Sequence, residues 1–334
     1  MSRSAPWLLA ILGTLLLVSC GFFSLLAGTA SLTPQTALRT IFDPGNADVT
    51  DAAVIWSIRM PRIIVAMLVG AALATVGAVM QALLRNSLAD PGVTGVSAGA
   101  AVGAISAITL GVSGAISWTV PLSAFLGAAA IAGVLQLVLH FKRHIDTTSI
   151  ILVGVSINSL AGALIHILIA NATEDSLVRS AFFWLAGDLE LRSWEHVWLA
   201  AVPVLAGVAL LLLRAHSLNA FSLGEQIAAT SGVSVARERA LLLLLASLIT
   251  GAAVAVSGII SFVGLVVPHA IRLLSGANHA TLLPLSALGG AIFLVLADTL
   301  ARTAFGAVVV QTGVVAALVG APIFLLLLLR RHPA

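Results

Sequence analysis

Residues 59–100 read RMPRIIVAMLVGAALATVGAVMQALLRNSLADPGVTGVSAGA. Arg59 and Arg62 bracket a proline, and an apolar helix rich in glycine and alanine follows. The helix stops at the polar break Arg85-Asn86-Ser87-Leu88-Ala89-Asp90-Pro91-Gly92. Beyond it, Gly95, Gly99 and Gly103 recur every fourth residue, a spacing that predicts one small-residue face for tight helix packing. A helix long enough to cross a bilayer, a polar turn and a second close-packed helix predict a moving, substrate-conducting membrane protein.

Composition agrees. The chain has 334 residues, 60% of them hydrophobic and 9% charged, with a mean hydropathy of +1.13. Soluble domains carry roughly 25% charged residues, so the solvent here is lipid. At about 20 apolar residues per span, the length allows about ten spans in a single transmembrane domain, 1–334. The sequence pI is near 10.4, but the charges are scattered singly between apolar runs and form no basic face for nucleic acid. Cys20 is the one cysteine, so no internal disulfide is possible. Lys142, the one lysine, is followed by Arg143, so a Walker A loop is absent. Any ATP and magnesium would be bound by another chain, and no cofactor or metal is expected on this one.

The spans are predicted at about Pro6–Leu26, Ile63–Leu84, Val93–Leu110, Trp118–Leu139, Ser149–Ile169, Val197–Leu213, Ala240–Val256, Gly258–Leu274, Leu282–Leu300 and Gly313–Leu329. The eighth reads as half-length or broken at Pro268-His269. Leu17-Val18-Ser19-Cys20 has a lipoprotein-like cleavage pattern, but the apolar run continues past it, favouring an uncleaved first span. Thr29 to Ile55 and Asn171 to Glu195 read as acidic external segments, and Arg214 to Arg239 as the longest internal one.

With both termini inside, ten arginine and lysine residues and four acids fall inside, against six and nine outside. That asymmetry satisfies the positive-inside rule, and Trp56, Trp118, Trp184, Trp194 and Trp198 cluster at the outer interface as an aromatic belt. Spans two to five and seven to ten run in opposite senses, as in an inverted repeat, without a matching sequence repeat.

Few residues carry chemistry. Asn86 and Leu88 in the polar break read either as a turn or as an inner gate. Arg59, Arg62 and Arg302 stand on an otherwise acidic outer face, where they either snorkel to headgroups or bind carboxylates of a docking partner. The internal stretch Ser222 to Gly232 reads as a surface helix or as an amphipathic segment seated on a partner. Gln81, Asn158 and His166 lie within spans, and for His166 an interhelical hydrogen bond is the favoured reading. There is no H-E-x-x-H pattern and no mid-membrane carboxylate cluster to suggest proton coupling.

Together these stretches resemble the FecCD family of ABC-transporter permeases. The resemblance runs through Arg59-Met60-Pro61-Arg62, Gly70 to Ala74, Gln81 to Gly92, Gly95 to Ala100, Trp184 with Gly187, and Leu223-Gly224-Glu225 with Ala228 and Gly232. It continues in Gly258 to His269 with Arg272, Ala297 to Arg302, and Gly320-Ala321-Pro322. It implies an all-α polytopic fold of the type II ABC importer permease kind, acting as a dimer with its pathway on the two-fold axis. Arg59, Arg62 and Arg302 would then pair with acids of a substrate-binding protein. Asn86, Leu88, Thr148 and Ser149 would form the inner gate, the last two in the loop after the fourth span. Leu223, Gly224, Glu225, Ala228 and Gly232, within a coupling segment of about 216–236, would seat on the ATPase. Two departures stand out: Ser87 occupies a common proline position, and Val309-Val310-Gln311-Thr312-Gly313 lacks the glutamate and proline of the family's outer turn.

The expectation is therefore a non-enzymatic permease of a bacterial cytoplasmic membrane, importing an iron chelate by alternating access. Iron–siderophore leads, with haem and cobalamin as alternatives. An ion-coupled secondary carrier is the reading from a different class, and an intramembrane enzyme is disfavoured.

Overall fold

The structure, a computed structural model, describes residues 6–28, 32–112, 117–141, 147–305 and 310–329. Among them there are helices and turns and no strand. In chain order the α-helices are α1 Pro6–Leu26, α2 Pro34–Phe42, α3 Val49–Ala52, α4 Met60–Leu83, α5 Val96–Thr109, α6 Thr119–Phe141, α7 Thr147–Ala170 and α8 Asp175–Leu185. They continue as α9 Trp194–Leu213, α10 Ala215–Leu223, α11 Glu225–Thr230, α12 Val235–Ser257, α13 Val263–Ser275, α14 His279–Thr303 and α15 Thr312–Leu329. Seven helical runs are long and apolar enough to cross a membrane, and α5, α13 and α15 are shorter apolar helices. Each of the ten expected apolar segments overlaps one of these helices, although the eighth is not helical at its start.

The core is built on α4, which packs against α12, α13 and α14 and is buried along most of its length. Glycine permits this. A Cβ at Gly70 would lie 2.1 Å from the Gly290 carbonyl oxygen of α14, and one at Gly77 would lie 2.0 Å from that of Gly264 in α13. The helices therefore meet backbone to backbone, the small-residue contact that dispersion favours in lipid.

Several boundaries differ from the sequence reading. Thr29 to Ile55 is not simply a loop. It holds α2 and α3, and a π-helical turn, Ala53–Arg59, runs directly into α4. Thr33 caps α2, its side chain accepting from the Thr36 N–H, and short polar caps of this kind escape a reading based on apolar runs. The third span is 14 residues long and is preceded by a 3-10 turn, Pro91–Thr94. At 1.5 Å per residue, α5 covers roughly 21 Å and cannot cross the hydrocarbon alone. Gly99 and Gly103 face α6 as one close-packed stripe, but Gly95 precedes the helix with φ of 82° and faces α7. The break in the eighth segment lies at residues 258–262, which are not helical, while Pro268 sits inside α13. Trp118 and Trp198 are exposed as belt residues would be, whereas Trp184 is buried and Trp56 stacks on Trp194. Arg3, Lys142, Arg143, Asp146, Arg330 and Arg331, used in the charge count, lie outside the described residues.

Candidate functional site: two ends of a helix bundle

α4 has Arg62 at one end and the 84–90 turn at the other. At the arginine end, Asp298 of α14 is 1% exposed and accepts from three side chains. Arg62 reaches it in bidentate fashion, Nε at 3.0 Å and Nη2 at 2.8 Å. Arg302, one turn along α14, donates Nε at 3.2 Å, and the Thr312 hydroxyl donates at 2.8 Å. The carboxylate thus joins α4, α14 and α15.

The same arginines close the end of α1. A helix leaves its last carbonyls without partners, and cations near a helix C-terminus also meet the negative end of its dipole. Arg59, 6% exposed, donates to the Leu25 and Leu26 carbonyls. Arg302 donates to the Ala27 carbonyl at 2.9 Å and to the Ser24 hydroxyl at 2.7 Å. The three arginines of the sequence reading therefore do come together, and they are engaged within the chain. Two of the guanidinium groups share one carboxylate and the third, Arg59, lies near Arg302, which leaves the cluster cationic. Asp298 lies within the stretch Ala297 to Arg302, where the sequence alone assigns it no role. Its position four residues before Arg302, hence on the same helix face, was the available signal.

At the opposite end, the chain leaves α4 through Arg85, whose φ is +45°. Asn86 and Leu88 are exposed in this turn, and the Asn86 side-chain oxygen accepts from the Leu88 N–H at 2.9 Å. Asp90 closes the turn by accepting from the Gly92 N–H at 2.8 Å, and burial pushes its carboxyl pKa up. Thr148 and Ser149 stand in the first turn of α7, not in a loop. α7 meets this turn farther along, where Asn158 Nδ2 donates to the Gly92 carbonyl at 3.2 Å.

The segment expected to seat on an ATPase is α10, Gly224 and α11. Leu218, Phe221 and Ala228 are buried, while Leu223 at the end of α10 and Ile227 in α11 are 68% and 47% exposed apolar side chains on either side of Gly224. Gly224 has φ of 120° and Gly232 of 84°, both in the region that favours glycine. A Cβ on Gly224 would lie 3.7 Å from Arg85 Nη1, so the segment sits beside the 84–90 turn. Glu225 pairs with Arg239, and Asn219 binds the start of α14 through Asn278 and the His279 N–H.

The intramembrane polar residues divide. Gln81 donates to the Gly264 carbonyl at 3.3 Å, joining α4 to the start of α13. Asn158 is the hydrogen bond just described. His166 departs from expectation, being exposed and making no hydrogen bond among the described residues. It shares a face of α7 with Thr148, Leu152, Ser156, Ser159 and Ala163, at spacings of three and four residues. The Ser156 and Ser159 hydroxyls donate to carbonyls of their own helix.

An all-helical membrane bundle with a half-length helix, a charged cluster at one end and an apolar knob at the other is the architecture of a transport permease. The chain belongs to the FecCD transport family, whose model matches residues 15–330. It is the permease of an ABC importer of that family. It is 44% identical over 283 residues to a cobalamin import system permease protein of Halobacterium salinarum, covering 85% of this chain and 75% of the other. It is 39% identical over 335 residues to a hemin transport system permease protein of Yersinia pestis, covering 99% and 98%. A solved structure described as an inward-facing conformation of a metal-chelate type ABC transporter superimposes with a TM-score of 0.85 at 32% identity, covering 98% of this chain and all of the other.

Proposed function

We propose that two copies of the chain enclose a pathway for a bulky metal chelate of the tetrapyrrole class, haem or cobalamin, and that α7 forms its wall. The exposed face of α7 carries this reading. All four outer helices expose large apolar residues (Leu12 and Leu16 of α1, Leu126 and Leu137 of α6, Val202 and Leu205 of α9, Leu152 and Ile167 of α7), and α1 also exposes the hydroxyls of Thr14 and Ser19. What sets the α7 stripe apart is that it adds an imidazole within a span to three hydroxyls, and an imidazole is a group that lipid disfavours and that marks a substrate pathway or a cavity. The stripe carries no charged side chain, which suits a cargo whose metal charge is already neutralised by its chelator. The cargoes of the two named relatives favour a macrocyclic chelate over the iron–siderophore expected from the sequence; the siderophore is the competing cargo.

In this reading the arginine end faces outward and both termini are cytoplasmic, in a bacterial cytoplasmic membrane. A loaded binding protein docks its carboxylates on the cationic cluster of Arg59, Arg62 and Arg302. Leu223 and Ile227 seat in a groove of a separate ATPase chain, which holds ATP and magnesium. Closure of the ATPases moves Gly224 against Arg85, and the turn bearing Asn86 and Leu88 opens beside Thr148 and Ser149. No covalent step falls to this chain.

The test is uptake into vesicles by the reconstituted complex with cobalamin, hemin or a ferric siderophore as cargo. Transport of the siderophore alone would refute the tetrapyrrole assignment. Docking is tested with Arg59→Glu and Arg302→Glu. Because both arginines also hold α1, thermal stability is measured alongside. Loss of binding-protein-stimulated ATPase at an unchanged Tm supports docking; retained stimulation sinks it.

A further inference from the structure

We propose that Asn158 is a positioning residue, clamping the wall helix α7 to the gate turn so that the two move as one unit. The proposal rests on α7 being the wall of the pathway. α7 packs against α5 and the 3-10 turn Pro91–Thr94, the segment that directly follows Asn86 and Leu88. Its contact with that turn is unusually close. A Cβ on Gly154 would lie 1.8 Å from the Val93 carbonyl oxygen, so helix backbone and turn backbone touch with no side chain between them. One helical turn along the same face, Asn158 Nδ2 donates to the Gly92 carbonyl at 3.2 Å. Between them, Ile157 lies over Gly95, where a Cβ would meet its Cγ2 at 2.5 Å.

The clamp is continuous with the coupling segment. Arg85 lies beside Gly224 at the start of the turn, and the Asp90 carboxylate accepts from the N–H of Gly92, the residue whose carbonyl Asn158 holds. A displacement arriving at Gly224 therefore meets the turn at Arg85 and leaves it at Gly92, on the helix whose opposite face carries Ser156 and Ser159. In a low-dielectric interior an amide–carbonyl bond across elements is directional as well as attractive, so it fixes the rotation of α7, which the glycine contact alone leaves loose. Gly154 permits the approach; Asn158 sets the orientation.

The experiment uses the reconstituted complex with its ATPase and binding protein, and reads cargo uptake per ATP hydrolysed. Asn158→Leu should assemble and keep stimulated ATPase near the wild-type rate, while uptake per ATP falls about tenfold, within the range of mutations that alter coupling between sites. Asn158→Gln, which keeps the donor, should restore part of it. An unchanged ratio, or uptake and ATPase falling by the same factor, overturns the proposal. A second measurement does not depend on how well Asn158→Leu folds. In a Cys20→Ala background, free of other thiols, Gly92→Cys and Asn158→Cys are bridged with a short reducible linker. If turn and helix move together, the bridged protein keeps its coupling and loses it on reduction; a bridged protein that stalls refutes the clamp. Failure of the underlying reading is seen separately. Ser156→Cys and Ser159→Cys in the same background should react with a membrane-impermeant thiol reagent, and Leu126→Cys on α6 should not. Equal reactivity would remove α7 as a wall, whereas selective labelling with unchanged coupling in Asn158→Leu would remove the clamp alone.

Discussion

α4 and α7 are both 24-residue helices, and hydropathy hardly distinguishes them: their spans score 2.5 and 2.0. Their surroundings are opposite. The α4 span is 78% buried within the chain and the α7 span 17%. α4 is held by glycine contacts along its length and by Arg62 on Asp298 at one end. α7 is gripped on one face, at Gly154 and Asn158, and leaves the other free. Apolar content places a helix in the membrane; it does not say whether the helix serves as spine or as wall. That depends on what the non-apolar residues touch. In α4 they are small and admit neighbouring backbones, while in α7 hydroxyls and an imidazole stand on the exposed side.

The largest expected effect tests the anchoring of the spine. Asp298→Ala leaves Arg62 and Arg302 as partly buried cations without their buried carboxylate, and removing one partner of a buried pair costs up to about 3–5 kcal/mol. Thermal unfolding in detergent should show a large fall in Tm or no folded protein at all, and a native Tm would mean that α4 is not anchored there. Next comes one substitution made in both helices. Gly70→Ala in α4 forces α4 and α14 apart and should cost about 1–3 kcal/mol. Gly162→Ala in α7, where a Cβ meets nothing within 4 Å, should stabilise by about 0.5–1 kcal/mol through helix propensity. Equal effects at the two glycines would erase the distinction between the helices. Smaller still in stability is Ser156→Leu combined with Ser159→Leu. Tm should move by about 0.5 kcal/mol equivalent or less, while cargo uptake falls severalfold with ATPase retained; unchanged uptake would return this face to lipid.

Much of this was legible without coordinates. The ten apolar segments, the arginine pair flanking Pro61 and the polar break all follow from residue type and spacing. What escaped has a common physical origin. Arg62 on Asp298, Arg59 and Arg302 as caps of α1, and Asn158 on Gly92 are contacts between residues 33 to 278 positions apart. Periodicity describes the face of one helix and says nothing about its neighbour. The misplaced break at Pro268 has a local cause: a proline is a strong signal, whereas the non-helical stretch 258–262 is ordinary apolar sequence, and what marks it is the positive φ of Gly258 and Phe262. The Thr148–His166 stripe lies between these cases, since its spacing was present in the sequence but its exposure was not.

A further effect, and the one that depends on pH, falls at Asp90 in the turn between α4 and α5. Burial raises its carboxyl pKa, outweighing the Gly92 N–H bond that lowers it. The sign follows from linkage. A pKa higher in the folded than in the unfolded state means that folding favours the protonated form. Asp90 therefore adds most to stability below the ordinary carboxylate value of about 3.9, and that contribution is lost as pH rises through the folded value. At neutral pH the burial of this carboxyl therefore opposes folding of the turn. Asp90→Asn keeps a side-chain oxygen for the Gly92 N–H and removes the charge, so it should raise Tm at pH 7–8 by about 1 kcal/mol equivalent, an ordinary size for a single substitution. The gain should shrink as pH is lowered toward the ordinary carboxylate range. A gain that is flat with pH would assign the effect to packing. A loss would mean that the ionised carboxylate is what holds Gly92, and with it the carbonyl that Asn158 reads.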